Sequence, residues 1–195
     1  MTRTIRRCTI SVAALSLLAA AAHAAPVTPP TPPVSSAGML TAVDGMTSTI
    51  LQEKQSSFSG IAIRARLQPA SLIKEVELMP TVEYWRNSST AQPYDIRSTR
   101  TDATLGCDAR YVFDQPGWKP YVGAGFGIHF LSSSVEAPSL GITNGGTNVI
   151  KGGLAALVGA SFGLAGRLDN FLELKYHHIP EYRQLKINWG LSYRL

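Results

Sequence analysis

The sequence predicts an all-β chain folded as an eight-stranded antiparallel transmembrane β-barrel in meander order. Three observations predict it. Hydrophobicity alternates with a period of two through most of the chain. The alternating runs are about 10 to 14 residues long, whereas ordinary strands average about 5 or 6 and a tilted bilayer-crossing strand needs about 9 to 11. The two faces of the runs also differ in kind. One is aliphatic and aromatic, and the other carries nearly all the charge.

The chain opens on a targeting pattern. Arg3, Arg6 and Arg7 precede a stretch from Cys8 to Ala22 that is nearly all apolar or small, and Ala22-His23-Ala24 fits a small-x-small cleavage site. This apolar core of about 15 residues is short for a spanning helix, which needs roughly 20. Residues 1–24 are therefore expected to be a cleaved secretory signal. The 195 residues carry a formal charge of +5, and three of the excess positive charges belong to this segment. The remaining basicity argues little for a nucleic-acid partner, and none is expected. Loss of Cys8 leaves Cys107 alone, which excludes an intramolecular disulfide.

Residues 25–38 begin APVTPPTPPVSS, a Pro-rich extended linker. Residues 39–57 are ambiguous. Met39, Leu40, Val43, Met46, Ile50 and Leu51 recur at spacings of three and four, which suggests a short N-terminal helix. Gly45 and the Thr-Ser-Thr run weaken that pattern, and the alternative is a poorly patterned first strand, with Gly45 to Ser57 as its candidate.

Residues 58–195 are the barrel domain. In the first run Ile61, Ile63, Ala65 and Leu67 alternate with Gly60, Ala62, Arg64 and Arg66. In the second Val76, Leu78, Val82 and Tyr84 alternate with Glu77, Met79, Thr81 and Glu83. The third sets Ala103, Leu105, Cys107, Ala109 and Tyr111 against Asp102, Thr104, Asp108 and Arg110. The fourth sets Val122, Ala124, Phe126, Ile128 and Phe130 against Tyr121, three glycines and His129. The fifth sets Leu154, Ala156, Val158, Ala160 and Phe162 against Leu157, Gly159 and Ser161. The sixth sets Leu172, Leu174 and Tyr176 against Phe171, Glu173, Lys175 and His177. The last sets Leu185, Ile187, Trp189, Leu191 and Tyr193 against Lys186, Asn188, Gly190, Ser192 and Arg194. Seven runs are clear. Barrels of this kind use even strand numbers, so the eighth strand must precede Phe58.

A membrane location assigns the faces. Apolar residues meet lipid, because a charge on that face costs about 2–4 kcal/mol near the midplane. Arg64, Arg66, Glu77, Glu83, Asp102, Asp108, Arg110, Glu173, Lys175, Lys186 and Arg194 then turn inward as a polar network of nearly balanced sign. Tyr84, Trp85, Tyr111, Phe113, Trp118, Tyr121, Phe130, Tyr176 and Tyr193 lie near run ends, where aromatic girdles form. Gln68–Ser71, Asp114–Gly117 and Gly166–Asn170 read as short turns. Asn87–Asp95 and Ser132–Lys151 read as longer external loops, the latter with a flexible GITNGGTN stretch. In water the same alternation would make a soluble lipocalin-like barrel that binds a ligand.

The segments KPYVGAGFGIHF (Lys119 to Phe130), FLELKYHH (Phe171 to His178) and KINWGLSYRL (Lys186 to Leu195) resemble small outer-membrane β-barrel proteins, the OmpA-type transmembrane domain and its single-domain relatives. The resemblance covers residues 58–195. It implies eight antiparallel strands, insertion from the periplasm and usually no catalysis; outer-membrane lipid as the surroundings and a monomer are expected. Members commonly end in an aromatic residue read by the barrel-insertion machinery. Here Leu195 is last, with Trp189, Leu191 and Tyr193 alternating before it.

Little chemistry is legible. His178 with Ser132 is the nearest imitation of a nucleophile–base pair, as in a lipid A-modifying barrel enzyme, but no serine follows His178. His177 and His178 cannot share a metal, since adjacent strand residues face opposite ways. GAGFG lies within a strand, so its glycines make room for side chains such as Arg64 or Arg110 and do not form a phosphate loop. No cofactor, metal or catalytic residue is expected. The expected role is structural, at the cell surface, or porin-like passage of small solutes.

Overall fold

The computed structural model describes residues 39–52, 56–93, 95–180 and 182–195. The expected signal segment and Pro-rich linker lie outside the described residues. Eight strands follow in chain order: β1 (Leu40–Gln52), β2 (Phe58–Leu67), β3 (Val76–Ala91), β4 (Ile96–Val112), β5 (Lys119–Ala137), β6 (Ile142–Ala165), β7 (Leu168–Ile179) and β8 (Tyr182–Arg194). Each pairs antiparallel with its sequence neighbours, and β1 pairs with β8 to close the barrel. Closure leaves no unpaired strand edge along the wall, the condition for a sheet to lie in lipid.

Every run of alternating residues lies in a strand, and the faces divide as the alternation demands. Ile61, Ile63, Val82, Leu105, Phe126, Val158, Leu174 and Trp189 are exposed on the outer surface, while Arg64, Glu83, Asp108, Glu173 and Lys186 are buried inside. Cys107 lies on the outer face between Leu105 and Ala109.

Residues 40–52 form a strand, not a helix. The physical reason is a mixed polarity on both faces. Apolar Ala42, Met46 and Ile50 face inward with Asp44 and Ser48, whereas Gly45, Thr47 and Thr49 face outward with Val43 and Leu51. Counting apolar residues from both faces together produces the spurious spacing of three and four. The strand also begins at Leu40, ahead of the Gly45 start that the sequence suggests.

The connections depart from expectation too. At one end of the barrel lie both described chain ends, Met39 and Leu195, with the β2–β3, β4–β5 and β6–β7 connections. We call this the terminal end. Its turns use glycine where φ is positive, at Gly117 (φ 83°) and Gly166 (φ 54°). The β2–β3 connection is not the tight Gln68–Ser71 turn but runs on to Glu75, braced by hydrogen bonds from Leu72 N to Pro69 O and from Val76 N to Ile73 O.

At the far end the segments read as loops are mostly strand. β3 and β4 stay paired from Arg86–Thr101 out to Ala91–Ile96. β5 runs to Ala137, and β6 resumes after a single 3-10 turn at Pro138–Leu140. β2 meets β3 only as far as Gly60–Trp85, and β7 meets β6 only from Leu154–His178. The outer parts of β3, β4, β5 and β6 therefore continue beyond the closed wall as a four-stranded protruding sheet. Alternation of Ser and Thr with few large apolar groups hid this extension, because the lipid-driven pattern stops where the wall stops.

Candidate functional site

The lumen is where the described strands gather buried charged side chains, and β1, β2, β3, β4, β7 and β8 each contribute. Period-two geometry puts alternate residues inward, and barrel curvature brings strands distant in sequence face to face. Asp44 of β1 receives Arg64 Nε at 2.8 Å and Arg66 Nε at 2.9 Å. Arg64 Nη1 reaches Glu173 Oε2 across the lumen at 2.9 Å. Glu173 also accepts from Tyr121 Oη at 3.1 Å and from Asn188 Nδ2 at 2.9 Å.

A second chain runs beside it. Lys175 Nζ lies 2.7 Å from Asp108 Oδ2 and 3.1 Å from Glu83 Oε1, and Lys186 Nζ donates to the other oxygen of Glu83. Arg110 pairs with Glu77 at 2.6 Å and lies over the Tyr121 ring, 4.3 Å from its centroid. At the terminal end Arg194 Nε is 3.3 Å from Asp169 Oδ2. All eleven residues read as inward-facing thus face the lumen or its rim. Ten of them join the two chains and the Arg110 and Arg194 pairs. The eleventh, Asp102, pairs with His129 at 2.8 Å.

Sequence reasoning missed several members. Asp44 was hidden by the ambiguous first segment. Asn188, Gln184 and Asp169 carry the right alternation but no formal pattern of their own. Trp85 and Tyr121 are not girdle aromatics. Both are buried in the lumen, Trp85 at 4% and Tyr121 at 1% exposure. Their parity was the available signal, since Trp85 shares a face with Glu83 and Tyr121 with Gly123. Tyr84, Tyr111, Phe113, Trp118, Phe130, Tyr176 and Tyr193 do face outward. Trp118 stacks on Phe162 at 6.4 Å between centroids.

Glycines on the inner face make room for this network. A Cβ at Gly159 would lie 2.6 Å from the Tyr121 ring and from Leu172 O, and one at Gly190 would lie 2.6 Å from the Phe171 ring. A Cβ at Gly125 would collide with the Asp108 carboxylate, and one at Gly123 would come within 3.1 Å of Arg110 Cβ.

The arrangement fills the lumen with paired opposite charges, while among the described residues Asp44 Oδ1, Arg64 Nη2, Arg66 Nη2 and Asp108 Oδ1 are buried without a hydrogen-bond partner. Ser132 and His178 are not brought together: Ser132 pairs with Asn148 of β6, whereas His178 pairs with Leu154. Among the described residues, no three His, Cys, Asp or Glu side chains are grouped to hold a metal ion.

No family model matches the chain, and no curated protein matches it. Solved structures do. The chain is similar to a major outer membrane protein of Thermus thermophilus, with a TM-score of 0.62 and 14% identity over 80% of this chain and 99% of that one. Neisserial surface protein A matches with a TM-score of 0.58 and 17% identity over 80% and 96%. The attachment invasion locus protein Ail of Yersinia pestis, in complex with the heparin analogue sucrose octasulfate, matches with a TM-score of 0.55 and 11% identity over 80% and 97%. What the chain shares with all three is the fold of the small outer-membrane β-barrels, the OmpA-type architecture that its strand pattern resembles.

Proposed function

We propose that this is an outer-membrane β-barrel protein with a structural or surface-binding role, closed to bulk solute by its own charges and without catalytic activity. One observation carries the reading. The outer wall exposes a belt of large apolar side chains, with Ile61 at 62%, Ile63 at 65% and Leu154 at 67%, while arginine, lysine and carboxylate fill the inside. Burying one such side chain is worth about 1.5–3 kcal/mol, and lipid is the medium that recovers it around a whole wall. A soluble ligand-binding barrel needs the reverse distribution.

The orientation follows from the ends. The terminal end faces the periplasm, where export through a cleaved signal would deliver the chain, and the protruding sheet faces outward. Strand β8, with Trp189, Leu191 and Tyr193 alternating on its outer face, is the segment offered to the barrel-insertion machinery. Within the lipid belt the closed seam leaves no edge for a second copy, which supports a monomer. The protruding sheet offers Arg86, Arg97 and Arg100 against Asp95 and Glu136, a basic surface suited to an anionic partner outside the cell.

Cell fractionation tests the location, with recovery in the outer membrane as a heat-modifiable band expected. Recovery in the soluble periplasm overturns it. Planar-bilayer recording of the refolded chain tests the plug, with no conductance above the lipid background expected.

A further inference from the structure

Two lumen histidines stand outside the ion-pair chains. His129 is fully buried, and its Nδ1 lies 2.8 Å from Asp102 Oδ2 and 2.8 Å from Thr104 Oγ1. The Thr104 hydroxyl is 3.1 Å from Asp102 Oδ1 and donates to it. With that hydrogen committed, Nδ1–H is the donor to Asp102, and Nε2 keeps its lone pair. Among the described residues, His129 Nε2 has no hydrogen-bond partner, and neither ring nitrogen of His177 has one, although His177 is 3% exposed.

The two rings are neighbours, nearly perpendicular, with centroids 5.4 Å apart and planes at 86°. Two imidazoles sharing one tetrahedral ion, each about 2.0–2.1 Å from it, place their centres about 5 Å apart. Gln184 lies directly across from His177 in the β7–β8 register. It is fully buried, and its Oε1 is also without a partner among the described residues. Between the rings β6 carries Gly153, where a Cβ would lie 3.1 Å from His129 Nε2.

Charge points the same way. Asp102 is the fully buried carboxylate, among the described residues, that pairs with a histidine and not with an arginine or lysine. The lysines nearest His177 are Lys175 and Lys186, which Glu83 and Asp108 already neutralise. A carboxylate behind an imidazole is the arrangement that orients metal-binding histidines and raises their basicity.

We propose that His129 Nε2, a ring nitrogen of His177 and Gln184 Oε1 bind one divalent ion of borderline character, Zn²⁺ or Cu²⁺, with water completing the coordination. Imidazole and amide oxygen suit these ions better than Mg²⁺ or Ca²⁺. Asp102 and Thr104 are positioning residues that fix the His129 ring. The site is separate from the plug and does not depend on the proposed surface role.

The test uses the full chain, refolded without an affinity tag in detergent micelles, titrated with Cu²⁺ and followed by electron paramagnetic resonance. One bound ion per chain is expected, with hyperfine coupling from two imidazole nitrogens and displacement by Zn²⁺. His129→Ala and His177→Ala should each weaken binding at least tenfold. Asp102→Asn should weaken it about 10- to 100-fold, the usual effect of losing such a partner, while His23→Ala and His178→Ala leave it unchanged. Absence of stoichiometric binding, coupling from fewer than two nitrogens, or loss of binding in His23→Ala or His178→Ala would overturn the proposal. Where a lumen variant fails to give the heat-modifiable band, the nitrogen count in the unmutated chain still decides.

Discussion

The two walls of the barrel contribute to the plug in opposite ways. The wall of β7, β8, β1 and β2 has strands of 10 to 13 residues and supplies Asp44, Arg64, Arg66, Glu173, Lys175, Lys186 and Asn188. The wall of β4, β5 and β6 has strands of 17 to 24 residues and turns Gly106, Gly123, Gly125, Gly127, Gly153 and Gly159 to the inside. One wall sends long side chains across the lumen, and the other withdraws its own to receive them. Strands β4 and β8 do both: β4 carries Asp108 and Arg110 beside its inward glycine, and β8 carries Lys186 and Asn188 beside Gly190. An eight-stranded barrel is narrow enough that side chains fill it. A lumen rich in arginine and lysine is therefore possible where the facing strands place glycine at many of their inward positions.

This division can be broken from the sending side first. Glu83 holds both Lys175 and Lys186, so Glu83→Gln leaves two lysines short of a counter-charge in a buried space. A loss of about 3–5 kcal/mol is expected, read as a lower urea midpoint in lipid vesicles. A loss below about 1 kcal/mol would mean that the lumen is wet enough to solvate the lysines. The receiving side is broken by Gly159→Ala, where the added methyl meets both the Tyr121 ring and Leu172 O. The expected cost is about 1–3 kcal/mol, with Tyr121 displaced from Glu173. The control that sharpens the contrast is Gly152→Ala. Gly152 is in β6 too, but it is exposed, and a Cβ there meets nothing within 4 Å. Its change should stay within about 0.5 kcal/mol. Equal effects at Gly152 and Gly159 would show that strand propensity, and not space, selects glycine in this wall.

The same contrast explains what was legible in the sequence. Seven strands could be read because lipid imposes a uniform apolar demand on every outward residue, from Ile61 to Tyr193. β1 could not, because polar and apolar residues share both of its faces: Thr47 and Thr49 lie outside with Val43 and Leu51, and Met46 and Ile50 lie inside with Asp44 and Ser48. The charged lumen residues were legible as a set, since parity alone turns Arg64 or Glu173 inward. Their pairing was not. That Arg64 meets Glu173, 109 residues away, follows from curvature and register, which no local pattern encodes. Nor could the His129–His177 contact be read, since it joins β5 to β7 over the gap left by a single glycine. The protruding sheet was lost for a different reason. Beyond the belt the solvent is water on both faces, and a strand such as Arg86–Ala91 then has no reason to alternate.

Closure by β1 against β8 has a consequence for the order of assembly. Seven of the eight seams join strands that follow one another along the chain, and such hairpins can form as soon as both strands exist. The eighth seam joins Ala42 to Arg194 and must wait for the whole chain. Until then β1 and β8 each present an open row of backbone donors and acceptors, which lipid cannot satisfy. Membrane entry is thus coupled to completion. A chain interrupted before β8 would keep β1 and β7 as bare edges, with backbone donors and acceptors that no neighbouring strand satisfies.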